Sequence, residues 1–148
     1  MKICIACSAG GHLTEAKQLL PALEKNEIFF LTTKREDTLS LSKTHRTIFI
    51  TDPGRNPIRL IKNIFESLAI MKKENPDIVL STGAGIAIPS IIIGKLKKKK
   101  TIFVESICRI TKPSLAGKLA YHFSDLFLVQ WKNLLTNYKK AKYWGAVV

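Results

Sequence analysis

Three short stretches of this sequence hold residue types able to bind or transform a ligand, and each directly follows an apolar run. The first is Ser8-Ala9-Gly10-Gly11-His12. Two adjacent glycines let the backbone approach a ligand closely, and a helix starting there would offer free N–H groups and a positive dipole end to a phosphate or diphosphate. A tight turn without any ligand has the same composition, and the G-x-G-x-x-G spacing of dinucleotide binding is missing. His12 could be a general base, a donor to phosphate, or the opening residue of a helix. The second stretch, Ser81-Thr82-Gly83-Ala84-Gly85, has two hydroxyls and two glycines, suited to presenting amides to a substrate or to close packing of the helix that follows. The third, Phe103-Val104-Glu105-Ser106, ends a strand-like run with a carboxylate. Glu105 fits hydrogen bonding to sugar hydroxyls, and equally an ion pair with Arg109 or Lys118. His12 and Glu105 are thus the candidate catalytic residues. Ser8, Gly10, Gly11, Thr82, Gly83, Gly85, Ser106, Arg109 and Lys118 are the candidate ligand-binding set. Because His12 and Glu105 both sit at strand ends, replacing either is expected to spare the melting temperature.

These turns can cooperate only if the elements before them are neighbouring parallel strands. Strands are predicted near Lys2–Cys7, Ile28–Thr32, Thr47–Ile50, Ile78–Ser81, Ile102–Val104 and Leu126–Gln130, and helices near His12–Lys25, Pro57–Glu74, Ile86–Leu96 and Pro113–Phe123. The strand runs lack polar alternation, as expected for strands covered on both faces. Alternating strands and helices predict an α/β fold, an open parallel sheet with helices on both faces, forming one domain over residues 1–148. In such sheets ligands bind beyond the carboxyl ends of the strands at a topological switch point, where all three turns would fall.

Composition narrows the partner. The chain of 148 residues is 46% hydrophobic and 24% charged, the mix of a folded protein. Cys4 and Cys7 form a C-x-x-C, but a strand points residues three apart to opposite faces, and no second pair completes a zinc site; buried thiols in a reducing cytosol are expected. No secretory signal opens the sequence, and the apolar stretch Ala84–Gly94 is too short to span a bilayer. Net charge is +13, and residues 79–148 hold 12 Lys+Arg against only Glu105 and Asp125. That asymmetry favours an anionic partner. Lys95 and the run Lys97, Lys98, Lys99 and Lys100 form a basic cluster suited to anionic lipid. In Pro57–Glu74, Ile58, Leu60, Ile61, Ile64, Phe65, Leu68, Ala69 and Met71 share one arc of about 180°, with Arg59, Lys62, Asn63, Glu66, Ser67 and Lys73 opposite. A core-facing helix accounts for most of this arc. Partial insertion at a membrane interface, through Ile61, Ile64, Phe65 and Leu68, is the sharper reading. A nicotinamide-binding domain, with Lys34-Arg35 gripping a 2′-phosphate, lacks the glycine fingerprint. A nucleic-acid module lacks any recognisable motif and aromatics interleaved with its lysines, so no nucleic-acid partner is expected.

The segments Ser8–His12, Ser81–Pro89, Phe103–Arg109, Ser114–Leu119, Asp125–Trp131 and Tyr143-Trp144-Gly145 resemble the membrane-anchoring subunit of the eukaryotic UDP-GlcNAc transferase of asparagine-linked glycosylation and its bacterial relatives in capsule and exopolysaccharide synthesis. A weaker likeness extends to the N-terminal domain of the peptidoglycan GlcNAc transferase. The resemblance implies a Rossmann-like N-terminal half of a GT-B glycosyltransferase, with a separate C-terminal subunit binding a UDP-sugar. It also implies a polyprenyl-diphosphate-linked acceptor meeting Gly10, Gly11 and His12, with Glu105 and Arg109 at the cleft, and no cofactor or metal. Eukaryotic members carry an N-terminal transmembrane anchor where this sequence opens on a strand. The expectation is therefore a subunit inactive by itself, bound peripherally to the cytoplasmic face of an anionic membrane.

Overall fold

Seven parallel strands build one sheet in the computed structural model of the chain, which describes residues 1–147. They are β1 (Lys2–Cys7), β2 (Glu27–Thr32), β3 (Thr47–Phe49), β4 (Ile78–Gly83), β5 (Lys100–Val104), β6 (Leu126–Val129) and β7 (Lys142–Tyr143), in the spatial order β3-β2-β1-β4-β5-β6-β7. The helices are α1 (Gly11–Gln18), α2 (Leu20–Leu23), α3 (Glu36–Leu41), α4 (Pro57–Glu74), α5 (Ile88–Leu96) and α6 (Leu115–Tyr121). From β1 the chain adds strands to one side and then returns to place β4 on the other. The switch point therefore lies between β1 and β4, whose following turns are Ser8–Gly10 and Ala84–Gly85.

Six strands fall on the predicted runs, with ends moved by one or two residues. The helix expected over residues 12–25 breaks into α1 and α2, because Pro21 cannot donate to the carbonyl one turn back and its ring crowds it. The two cores divide by strand alternation. Phe29, Leu31, Val79, Phe103 and Phe127 pack with Met71 of α4 and Ile91 of α5, while Ile3, Ile5, Phe30 and Leu80 pack with Leu13 of α1. Cys4 belongs to the first core and Cys7 to the second. Burial pushes the Cys7 thiol up to about 12 and holds the Cys4 thiol far above its usual range, so neither is a ready nucleophile.

Helix α4 decides between the two orientations its apolar arc leaves open, and the arc does not face the core. Its buried residues are Asn63, Ser67, Met71 and Glu74, a stripe at helical spacing, whereas Ile58, Leu60, Ile61, Ile64, Phe65 and Leu68 are 40–76% exposed. The mostly polar stripe can face inward because it is hydrogen-bonded. Asn63 Nδ2 donates to the Thr51 carbonyl (2.7 Å), and Thr51 N donates to Glu66 Oε2 (2.7 Å). Ser90 Oγ meets Ser67 Oγ from α5, and Ser67 Oγ meets Asn63 Oδ1. Periodicity located the apolar arc, but polar anchoring turned it toward solvent.

At the far end of α4, the buried Glu74 receives Arg46 (2.7 Å) and the Lys2 ammonium (2.8 Å). The hydrogen bond from Lys2, helped by the charge of Arg46, holds its carboxyl below the usual range. A depressed carboxyl contributes stability above its unfolded-state pKa and loses it as pH falls through the folded value. The melting-temperature gap between wild type and Glu74→Gln should therefore be largest near neutral pH and shrink as the solution is taken toward pH 3. Thermal melts across that range check the sign.

Candidate functional site

The turn after β1 starts α1 with no side-chain cap, so the helix opens toward the rim on backbone amides. Gly10 sits at φ +78°, a conformation that suits glycine. Its N–H is not open to a ligand, however, because it donates to Asp37 Oδ2 at 2.7 Å. The expected phosphate contact at Gly10 is corrected accordingly: Asp37, on the unforeseen α3, occupies that amide. Gly11 faces open space.

His12 is clamped from below by β4. Its Nδ1 donates to the Thr82 carbonyl at 2.9 Å, and Thr82 Oγ1 donates in return to the His12 carbonyl at 2.7 Å. A carbonyl only accepts, so Nδ1 carries a proton, and in the neutral ring Nε2 keeps a lone pair. Gly83, at φ +120°, lies directly under the ring, where a Cβ would come within 2.8 Å of it. Thr82 and Gly83 are thus buried supports of His12. Ala84 follows at φ +73°, ψ +154°, a region that costs a non-glycine residue about 1–3 kcal/mol and often marks functional sites.

Two pockets of about 580 and 590 Å³ share Ala84 as a lining residue. The first includes Ser8, Gly10, Gly85, Arg35, Asp37 and Asp52; the second brings Gly11, His12, Glu15, Ser106, Arg109 and Ser114 together. Lys118 is exposed on α6 and lines neither. Lys97, Lys98 and Lys99 form the turn between α5 and β5, and Lys100 opens β5, so this run lies at the amino edge of the sheet, opposite the rim.

Glu105 is the main correction. It is only 1% exposed, and both carboxylate oxygens are taken by the chain itself. Ser106 N and Ser114 Oγ donate to Oε1 (3.1 and 2.8 Å); Ser114 N and Tyr138 Oη donate to Oε2 (3.2 and 3.0 Å). Burial and the Glu105 charge push the Tyr138 hydroxyl far above its usual range, so it stays a donor. Among the described residues Glu105 pairs with neither Arg109 nor Lys118. Its carboxylate ties the loop after β5 to the start of α6, and substrate does not reach it here. The expectation that replacing it spares the melting temperature is withdrawn on the same geometry.

The carboxylate that does border the His12 pocket is Glu15, which is not among the residues expected from the sequence. It is 5% exposed; Ser106 Oγ (2.9 Å) and Ile107 N (3.1 Å) donate to its Oε1, and Gln130 Nε2 (3.2 Å) to its Oε2. It holds the Arg109 loop against the helix that carries His12. Its spacing of three residues from His12, on one helix face, was the available signal.

A parallel sheet whose strand order reverses at a glycine-rich turn, with a histidine held at the crevice, defines a Rossmann-like α/β domain. The fold matches the crystal structure of Acinetobacter baumannii MurG with a TM-score of 0.80 at 16% identity, over 99% of this chain and 45% of that one. Residues 51–147 match the family described as "Oligosaccharide biosynthesis protein Alg14 like", and the chain belongs to that family. The rat UDP-N-acetylglucosamine transferase subunit ALG14 is 40% identical over 92 residues, 58% of this chain and 43% of that protein. The Clostridium botulinum UDP-N-acetylglucosamine–N-acetylmuramyl-(pentapeptide) pyrophosphoryl-undecaprenol N-acetylglucosamine transferase is 29% identical over 146 residues, 89% of this chain and 40% of that enzyme. In each of these three comparisons the match covers less than half of the other protein's length.

Proposed function

We propose that this chain is the acceptor-binding subunit of a two-part UDP-sugar glycosyltransferase, acting on a sugar linked to a polyprenyl diphosphate. The observation that carries the reading is His12, with Nδ1 fixed on Thr82 and Nε2 of the neutral ring left as an acceptor, beside a pocket that also holds Glu15 and Arg109. In this role Nε2 takes the proton of the acceptor hydroxyl as its oxygen attacks the anomeric carbon of the donor sugar, and UDP leaves with the bonding pair. The open amides of α1 and the Arg109 guanidinium would hold the acceptor diphosphate. The clostridial relative's name supplies a pyrophosphoryl-polyprenol acceptor, and the rat relative's name the word subunit. A donor domain facing this rim would come from a separate C-terminal GT-B subunit. Purified chain, UDP-GlcNAc and lipid-linked acceptor should give no product until that partner is added. Turnover by the chain alone would sink the two-subunit reading.

The same reading places the protein peripherally on the cytoplasmic face of a membrane. Among the described residues no helix is long and apolar enough to cross one. The exposed arc of α4 would enter the interface through Ile61, Phe65 and Leu68, and Lys97–Lys100 would meet anionic headgroups. Flotation with vesicles should show binding that rises with anionic lipid and falls at high salt. Equal binding to neutral vesicles at every salt concentration would remove the electrostatic part.

A further inference from the structure

An apolar groove of about 880 Å³ runs between α4, α5 and α6, and simple insertion of a helix into a membrane does not account for it. Its floor is Ile88, Pro89 and Ile93 of α5, each buried, with Leu60 and Ile64 on one wall and Leu119 on the other. Helical periodicity splits the exposed arc of α4 in two. Leu60 and Ile64 turn into the groove, while Ile58, Ile61, Phe65 and Leu68 do not line it and face outward. A bilayer surface can meet the outward stripe. The buried floor lies behind that stripe, between α4 and α6, where a flat bilayer surface does not reach it.

The groove's ends specify the rest of the occupant. At the rim it shares Gly54 and Gly85 with the pocket of Ser8 and Gly10, and Leu115 and Ala116 with the pocket of His12. From there it follows α5 from Ile88 to the exposed Leu96, about 12 Å at the helical rise. Among the described residues lining it, the one charged side chain is Arg55, near the rim. An apolar tail with an anionic head matches that pattern of polarity and charge.

We infer that this groove holds the first isoprene units of the polyprenyl diphosphate, drawn out of the bilayer so that the diphosphate reaches the rim. The inference rests on the lipid-linked acceptor of the proposed function and adds a chain-binding subsite to it. Unanchored probes test it on the protein alone: farnesyl diphosphate against isopentenyl diphosphate, by calorimetry without detergent. Farnesyl diphosphate should bind at least about tenfold more tightly, because ten more carbons leave water. The Leu60→Gln, Leu119→Gln double variant alters two half-exposed groove walls and should erase that preference while keeping isopentenyl diphosphate binding. Ile61→Gln with Phe65→Gln, on the outward stripe, should weaken vesicle binding and keep the preference.

Equal affinity for the two diphosphates in the wild type would overturn the groove and leave the transferase reading standing. Dimerisation abolished by the groove variant, with no chain-length preference, would assign the groove to a second copy instead. Chain-length-dependent binding with no sugar transfer by the reconstituted pair would support the groove and sink the transferase reading.

Discussion

Replacing Glu105 by Ala should lower the melting temperature by about 6–12 °C, the shift expected for a loss of roughly 3 kcal/mol in a chain of this size. The cause is the number of donors left behind. Ser106 N, Ser114 N, Ser114 Oγ and Tyr138 Oη all converge on this carboxylate at 1% exposure. The serine and tyrosine hydroxyls can turn to other partners, but the two backbone N–H groups cannot, and each unmet buried donor costs about 1–3 kcal/mol. Glu105→Gln should recover only part of the loss, because its amide nitrogen must face donors that need an acceptor. Gly117 marks how tightly the site is built: a Cβ there would collide with the Glu105 carboxylate and the Tyr138 hydroxyl. Thermal melts of the two Glu105 variants are the measurement. A shift under about 2 °C for Glu105→Ala would show that the network carries little stability.

The strands and the rim were legible because they rest on local signals. A strand buried on both faces announces itself as an unbroken Ile/Val/Phe run, and a glycine-rich turn after it marks a ligand edge at the switch point. Short elements gave no such signal. α3 has six residues without an apolar repeat, and β7 has two, both exposed. Helix α4 shows a different limit. Its arc was visible, but which arc meets the sheet depended on Thr51, Ser90 and Glu74 finding partners far along the chain. The two carboxylates were exchanged for the same reason. Glu105 follows a strand, as a site residue would, yet its donors come from residues 114 and 138. Glu15 lies within a helix, yet its donors pull the Arg109 loop to the His12 pocket. Convergence of distant donors is a property of the fold; spacing could place Glu15 on the His12 face of α1, but it could not show which donors would meet either carboxylate.

In the reconstituted pair, His12→Ala should lower kcat by roughly 10²–10⁴-fold, the usual contribution of a positioned general base. The structure supplies the geometric half of the argument. Thr82 fixes the tautomer through Nδ1, Gly83 leaves room beneath the ring, and Nε2 remains as an acceptor beside the pocket that also holds Glu15 and Arg109. His12→Asn is the sharper variant. An asparagine amide can keep donating to the Thr82 carbonyl from nearly the place of Nδ1 but has nothing at the position of Nε2. If proton removal is the role, His12→Asn should fold like wild type and lose kcat as deeply as His12→Ala. If His12 only hydrogen-bonds the acceptor diphosphate, both variants should instead raise the acceptor KM and leave kcat near wild type, because binding common to ground and transition states is what disappears. Little stability should be lost in either case, since the ring is half-buried at the rim and outside both apolar cores. Steady-state kinetics beside a melting curve for each variant separates these outcomes. Wild-type kinetics in both variants would mean that the chemistry lies elsewhere on the rim.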